Sequence, residues 1–255
     1  MIFTSSCCDN LSIDEIIERA EKGDCEAQYI VGFYYNRDSA IDSPDDEKAF
    51  YWLKLAAEQG HCEAQYSLGQ KYTEDKSRHK DNEHAIFWLK KAALQGHSDA
   101  QNNLADLYED GKGVAQNETL AAFWYLKSAQ QGNRHAQFQI AWDYNAGEGV
   151  DQDYKQAMYW YLKAAAQGSV GAYVNIGYMY KHGQGVEKDY QAAFEWFTKA
   201  AECNDATAWY NLAIMYHYGE GRPVDLRQAL DLYRKVQSSG TRDVSQEIRE
   251  IEDLL

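Results

Sequence analysis

The sequence predicts an all-α fold: a right-handed superhelical solenoid of six helix-turn-helix repeats, with a capping helix at each end. Two observations predict it. Tryptophan, alanine and tyrosine recur at an interval of 36 residues, and within each interval small and apolar residues fall on one side of a helix. The chain has 255 residues, of which 14% are aromatic. This content is sufficient for a repeat core and atypical of disorder.

Segments outside the repeats come first and last. We expect a flexible N-terminus at 1–10 and an N-terminal capping helix at 11–23, where Ser12 and Glu15 have the spacing of a capping box. A C-terminal capping helix is predicted at 241–255, because apolar residues there form one stripe: Val244, Ile248, Ile251 and Leu255. Such helices would end the stack with a polar face.

The repeats occupy 24–240 and are defined by recurring residues. One series is Trp52, Trp88, Trp124, Trp160 and Trp196. A second series is the repeat alanine, which a tyrosine follows eight residues later in every repeat: Ala27, Ala64, Ala100, Ala136, Ala172 and Ala208. The first interval is one residue longer, and we place the extra residue in the loop around Pro44. The tryptophans are interpreted as core residues rather than a cofactor-binding box.

Each repeat is predicted to contain two helices joined by a glycine turn. Gly111 and Gly113 begin this series of turns, which recurs in the next three repeats. Gly-x-Gly also begins dinucleotide-binding motifs. Here no strand precedes it, a third glycine is missing and the motif recurs, so we favour a tight turn. Small residues at one position of the first helix indicate close helix packing: Gly32, Gly69, Ala105, Ala141, Gly177 and Ala213.

The repeat pattern is A-x-x-x-[LI]-[GA]-x-x-Y, then G-x-G-V, then A-x-x-W-x-x-K-A-A-x-Q-G, and 136–168 follows it almost throughout. It resembles the Sel-1-like repeat family, a relative of the tetratricopeptide repeats. The resemblance implies an adaptor or scaffold in bacteria, in signalling or host contact. The cysteine-rich branch of that family pairs cysteines within each repeat. This sequence does not match that pattern, so the resemblance implies no disulfide in this chain.

Some repeats depart from this pattern. The loops at 36–46 and 73–82 lack the glycine turn and are richer in charge, so we expect local specialisation there. In the sixth repeat Leu232 replaces the tryptophan, and Arg222 with Pro223 replaces the valine after the turn. Such changes are typical of relaxed packing near the end of a stack.

Charge and composition exclude several classes of protein. There are 40 acidic and 25 basic side chains, a formal net charge of -15, which argues against nucleic acid and anionic membranes as partners. No run approaches the ~20 apolar residues that span a bilayer, and 1–10 has no secretory pattern. We therefore expect a cytoplasmic protein. Five scattered cysteines argue against a disulfide framework. A metal site at Cys7, Cys8 and Cys25 lacks further ligands, and we expect neither a metal nor a cofactor.

Candidate binding residues follow from helical geometry. If the first helices line a concave surface, the second, sixth and ninth residues after the repeat alanine lie opposite the core. These positions vary between repeats, and we select eight of them as candidates: Tyr66, Asp106, Glu109, Phe138, Trp142, Tyr178, Tyr210 and His217. Aromatic side chains with an acidic rim suit a peptide. The alternative is that they pack against neighbouring first helices.

The functional hypothesis is a protein-protein interaction scaffold that binds a protein or peptide with basic and apolar residues. A chaperone-like holder of many clients is an alternative, and a hydrolase with an unrecognised site a more distant one. The seven histidines form no H-E-x-x-H motif and no serine lies in a nucleophile elbow, so we predict that the chain is not an enzyme. The sequence leaves the oligomeric state open.

Overall fold

The structure, a computed structural model, describes residues 11–36, 45–74 and 79–255. In these ranges the chain forms fourteen α-helices and no strand. The predicted flexible segment at 1–10 and most of the two irregular loops lie outside the described residues. The helices are α1 Ile13–Glu21, α2 Cys25–Asn36, α3 Asp46–Glu58, α4 Cys62–Thr73, α5 Asn82–Leu94, α6 Ser98–Asp110, α7 Glu118–Gln130, α8 Arg134–Ala146, α9 Tyr154–Ala166, α10 Val170–His182, α11 Tyr190–Glu202, α12 Ala206–Tyr218, α13 Leu226–Ser239 and α14 Ser245–Glu252.

The helices belong to two compact units, Met1–Gln131 and Gly132–Leu255. In the first unit α2 packs on α3, α4 on α5 and α6 on α7, while α1 covers α2. In the second unit α8 packs on α9, α10 on α11 and α12 on α13, with α14 against α13. Consecutive pairs within a unit also contact each other, as α3 does α4 and α9 does α10. The predicted all-α repeat fold is confirmed, and its right-handed sense stays a prediction.

Polar caps fix where the helices begin. The second helix of every repeat begins after an Asp or Asn whose side chain accepts a backbone N–H of the first turn: Asp45, Asp81, Asn117, Asp153, Asp189 and Asp225. Most first helices have caps of their own, and two of these are histidines. His61 Nδ1 accepts from the N–H of Ala64, and His97 Nδ1 from that of Ala100, each at 3.2 Å.

The Gly-x-Gly segments form tight turns between helices, as predicted. Gly183 ends α10 with φ of +71°, a left-handed conformation that glycine adopts without strain. Two residues later Gly185 has φ of +70°, and a Cβ there would lie 2.6 Å from the carbonyl carbon of Tyr154 in the preceding second helix. Both glycines are therefore needed for the turn and for its close approach to α9.

Close contact between the two helices of a repeat explains the predicted series of small residues. A Cβ on Gly69 would lie 2.7 Å from Leu89 Cγ, and one on Gly177 would lie 2.6 Å from Phe197 Cε1. The repeats with alanine instead have a buried tyrosine twenty residues later: Tyr125, Tyr161 and Tyr233. The tryptophan series also belongs to the core, since Trp88, Trp124 and Trp160 are buried, whereas Trp52 and Trp196 are partly exposed.

A ladder of glutamines joins the two helices of a repeat to each other, and sequence reasoning gave it no role. Gln59 Nε2 donates to Gln28 Oε1 at 2.7 Å, and Gln28 Nε2 donates to the carbonyl of Ala20 at 3.1 Å. The same side-chain contact recurs at an interval of 36 residues in the pairs Gln95–Gln65, Gln131–Gln101 and Gln167–Gln137. Because a buried amide without partners is costly, these bonds stabilise the packing of the two helices of a repeat. In the first unit Gln65 and Gln101 also donate to the carbonyls of Ala57 and Ala93, which belong to the preceding repeats.

Both predicted terminal helices are present, although their segment limits stay a prediction. At α1 the capping box is confirmed: the N–H of Glu15 donates to Ser12 Oγ, and the N–H of Ser12 donates to a Glu15 carboxylate oxygen at 2.7 Å. At α14 Val244 and Ile251 are buried. Leu255 is 61% exposed, so its expected place in the buried stripe is wrong, because the helix ends at Glu252.

Candidate protein-binding surface

The candidate residues of the first unit lie on α4 and α6, and Tyr66 is the earliest. Its ring stacks on His97, with ring centroids 4.2 Å apart, and its hydroxyl accepts a hydrogen bond from Gln70. Burial raises the pKa of this half-buried tyrosine. His97 is itself the cap of α6 and faces Glu63 at 3.2 Å. Tyr66 is therefore held between two repeats rather than presented freely.

Asp106 and Glu109 converge on one buried hydroxyl group of the next helix. The hydroxyl oxygen of Tyr125 lies 2.6 Å from Asp106 Oδ1 and 2.7 Å from Glu109 Oε2. It has one hydrogen, so two half-buried carboxylates share a single donor. Asn102 donates a further hydrogen bond to Asp106 at 3.2 Å. Burial and these two carboxylates raise the pKa of Tyr125 far above its ordinary value, so it remains a donor.

In the second unit Trp142 is the candidate that faces solvent. Its side chain is 42% exposed on α8, while Phe138, one turn earlier, is half-buried. The ring of Phe138 lies 5.7 Å from that of Tyr161 and covers Gly171, where a Cβ would lie 2.9 Å from the ring. Phe138 therefore packs between helices and Trp142 projects from the surface.

The last three candidates are half-buried in contacts within the second unit. The Tyr178 hydroxyl accepts from Asn211 at 2.9 Å, and its ring meets Phe197 edge-on. The guanidinium of Arg242 lies 3.9 Å from the ring centre of Tyr210. His217 stacks on the exposed Tyr218, with centroids 4.3 Å apart. The Nδ1 atom of His217 is buried and has no hydrogen-bond partner among the described residues.

Across both units, the simple helical geometry overestimated exposure. Asn102, Val174 and Lys181 occupy positions expected opposite the core, yet all three are buried. Lys181 is 2.7 Å from Glu220 in an ion pair that joins the fifth repeat to the sixth. Neighbouring first helices pack side by side, and they cover much of the surface that an isolated helix would present. The packing alternative therefore describes most of these positions.

The comparison with known families decides the classification. The Sel1 repeat pattern matches residues 25–61, 62–97, 98–133, 134–169, 170–205 and 206–235. The chain belongs to the Sel1 repeat family. Sel1 repeat proteins generally mediate protein-protein interaction and are generally not enzymes. The predicted family resemblance is confirmed.

Two solved structures of Sel1 repeat proteins are similar to this chain. One is c5321, a protective antigen present in uropathogenic Escherichia coli strains, with 34% identity and a TM-score of 0.81 over 91% of this chain and 50% of that one. The other is a Sel1 repeat protein from Oxalobacter formigenes, with 31% identity and a TM-score of 0.71 over 93% of this chain and 69% of that one. The chain thus spans about half the length of the E. coli protein.

In the described ranges no three His, Cys, Asp or Glu side chains form a group that could hold a metal ion. Cys7 and Cys8, at which no metal site is expected from the sequence, lie outside those ranges. The helices described by the structure include none with the length and apolar character needed to cross a bilayer.

Sequence reasoning missed a row of exposed rings on the second helices of the Sel1 repeats. The residue before the repeat tryptophan is aromatic in four repeats, and its exposed fraction is high each time: Tyr51 56%, Phe87 50%, Phe123 47% and Tyr159 49%. Each ring meets the edge of the tryptophan that follows it. The interval of 36 residues was visible in the sequence. The exposed ring precedes the core tryptophan and therefore has the same period, although it lies about 100° away around the helix.

Proposed function

We propose that this chain is an adaptor that binds a protein or peptide on the surface of its first helices, in repeats four to six. The observation that carries the proposal is the exposed indole of Trp142. A large aromatic ring on a rigid helix provides contact area with little conformational entropy to lose, and such residues dominate binding energy in many interfaces. Phe138, one turn earlier on the same helix, is half-buried.

The partner carries basic as well as apolar residues. Asp106 and Glu109 lie on the first helix of repeat three, before repeats four to six, and each is half-buried beside the hydroxyl of Tyr125. Carboxylates accept charge-assisted hydrogen bonds from Arg and Lys side chains, which supply several N–H groups. The overall charge of -15 steers a basic partner toward the chain.

Host contact is the setting that we propose for this adaptor. The relative of known structure from uropathogenic E. coli, 34% identical, is a protective antigen. The match covers 50% of that protein, so its role reaches this chain as a proposal alone.

The test uses two single variants of similar exposure in the same unit. A partner recovered by affinity purification and identified by mass spectrometry is titrated calorimetrically against the wild type, Trp142→Ala and Tyr159→Ala. We expect Trp142→Ala to weaken binding by about tenfold or more, and Tyr159→Ala, on a second helix, to leave Kd unchanged. An unchanged Kd for a folded Trp142→Ala protein would refute the proposal.

A further inference from the structure

The second helices of the first unit carry a row of exposed rings, formed by Tyr51 on α3, Phe87 on α5 and Phe123 on α7. At least 47% of each side chain is exposed. The rings occupy equivalent positions in three consecutive repeats, and α5 lies beside α3, because Trp88 belongs to the same buried cluster as Leu53. Single exposed apolar residues are common on protein surfaces, whereas a continuous apolar row marks an interaction site.

Lysines accompany this row. The ammonium group of Lys91 lies 4.6 Å from the ring centre of Phe87, and that of Lys127 lies 5.7 Å from the ring centre of Phe123. Lys54 and Lys90 are exposed one turn along the same helices. Each lysine lies three or four residues after a ring, so both groups share one face of the helix.

These four lysines have no carboxylate within 4.0 Å among the described residues, although the chain has 40 acidic side chains and 25 basic ones. By contrast Lys48, Lys71 and Lys112 of the same unit all form ion pairs. The side of the rings toward the C-terminal ends of these helices is therefore basic, whereas Glu47 and Glu83 lie one turn before Tyr51 and Phe87 on the same helices. Ammonium groups beside exposed rings form a surface complementary to carboxylates and apolar side chains.

We propose that the row of Tyr51, Phe87 and Phe123, with its lysines, is a second docking surface, and that its occupant is an acidic polypeptide segment with aromatic or aliphatic residues. The segment's carboxylates pair with Lys91 and Lys127, and its apolar side chains cover the rings. This partner differs in charge from the one proposed for the first helices, so the chain would join two unlike proteins.

The experiment selects ligands without assuming a sequence. Phage-displayed random peptides of about 12 residues are selected on the full chain, and the Kd of each recovered peptide is measured by fluorescence anisotropy. Two double variants remove the surface features separately: Phe87→Ser with Phe123→Ser, and Lys91→Gln with Lys127→Gln. Trp142→Ala is the control on the other proposed surface. Circular dichroism checks that every variant is folded, and Phe87→Leu with Phe123→Leu replaces the serine variant if that one unfolds.

We expect net acidic peptides that contain aromatic or aliphatic residues. Each double variant weakens them by about tenfold or more, Trp142→Ala leaves Kd unchanged, and raising the salt from about 50 to about 500 mM weakens them further. Four results would overturn the proposal. They are an absence of peptides, peptides that are neutral or basic, peptides that tolerate both double variants, and peptides that lose binding with Trp142→Ala.

Two other occupants are tested with the same variants. Vesicles of phosphatidylcholine with phosphatidylserine probe a lipid surface, and light scattering over a range of concentrations probes a second copy of the chain. Under the proposal neither vesicle binding nor self-association depends on Phe87, Phe123, Lys91 or Lys127. Loss of either in the double variants would assign the surface to lipid or to self-association and refute the peptide.

Discussion

Tyr125 holds its hydroxyl oxygen 2.6 Å from a carboxylate oxygen of Asp106, and it is the donor that this half-buried carboxylate shares with Glu109. In the next repeat Tyr161 is equally buried, but its hydroxyl has no hydrogen-bond partner among the described residues. Tyr125 and Tyr161 occupy equivalent buried positions and differ in whether the hydroxyl forms hydrogen bonds, so they are a matched pair for mutation.

Tyr125→Phe should lower the free energy of unfolding by about 1–3 kcal/mol, because two half-buried carboxylates lose the hydroxyl donor that they share. Tyr161→Phe should change stability by less than about 0.5 kcal/mol or increase it, because it removes a buried polar group that forms no bond. Urea unfolding of both variants measures the difference. Equal effects of the two substitutions would contradict the hydrogen-bond assignment.

Alkaline pH should destabilise the protein through its buried tyrosines. Burial is the main cause that raises the pKa of Tyr125, Tyr161 and Tyr233 above the ordinary 10.0. The unfolded chain therefore loses these protons first. Stability is complete below pH 10 and falls as the pH rises above it, by about 1.4 kcal/mol per pH unit for each tyrosine. Urea unfolding at several pH values tests this. Tyr161→Phe should reduce the slope, and an unchanged slope would contradict the assignment.

Gly177→Ala should destabilise the second unit. Its Cβ would lie 2.6 Å from Phe197 Cε1, so the buried Phe197 ring or the two helices must shift, and overpacking of this kind costs about 1–3 kcal/mol. Alanine is otherwise the better helix former by about 1 kcal/mol, so a net loss reports the clash. Thermal unfolding measures it. A more stable Gly177→Ala protein would show that the helices are not in close contact.

His97→Ala should cost about 0.5–2 kcal/mol, the range for loss of an N-cap, because the N–H of Ala100 loses its acceptor. His97→Asn should retain most of the stability, since Asn133 caps the next first helix in the same way. Urea unfolding compares the two variants. If Asn is as destabilising as Ala, then stacking on Tyr66 rather than capping is the main role of His97.

Regular features of the fold could be predicted from the sequence, because each obeys a local rule. The glycine turns need positive φ, the small residues opposite Leu89 and Phe197 need space, and Ser12 with Glu15 forms its box within one turn. The glutamine ladder was missed because its partners are about thirty residues apart. Pairing at that separation depends on how the two helices of a repeat pack on each other, which helical periodicity does not specify.

The candidate surface was harder to predict for a related reason. Helical geometry places Trp142 and Tyr178 at equivalent positions, yet Trp142 is exposed while Tyr178 packs against Phe197 and bonds to Asn211. Exposure is set by the next first helix, whose side chains differ from repeat to repeat. The exposed rings at Phe87 and Phe123 had a clear period, but that period coincides with the core tryptophan series.

Photo-crosslinking tests the central claim most directly, because it reports which surface the partner contacts. A photoreactive phenylalanine derivative replaces Trp142 in one protein and Tyr159 in another, and each is irradiated with the purified partner. We expect the protein with the photoreactive residue at position 142 to crosslink to the partner, and the protein with it at position 159 not to crosslink. Crosslinking from 159 without crosslinking from 142 would contradict binding at the first helices.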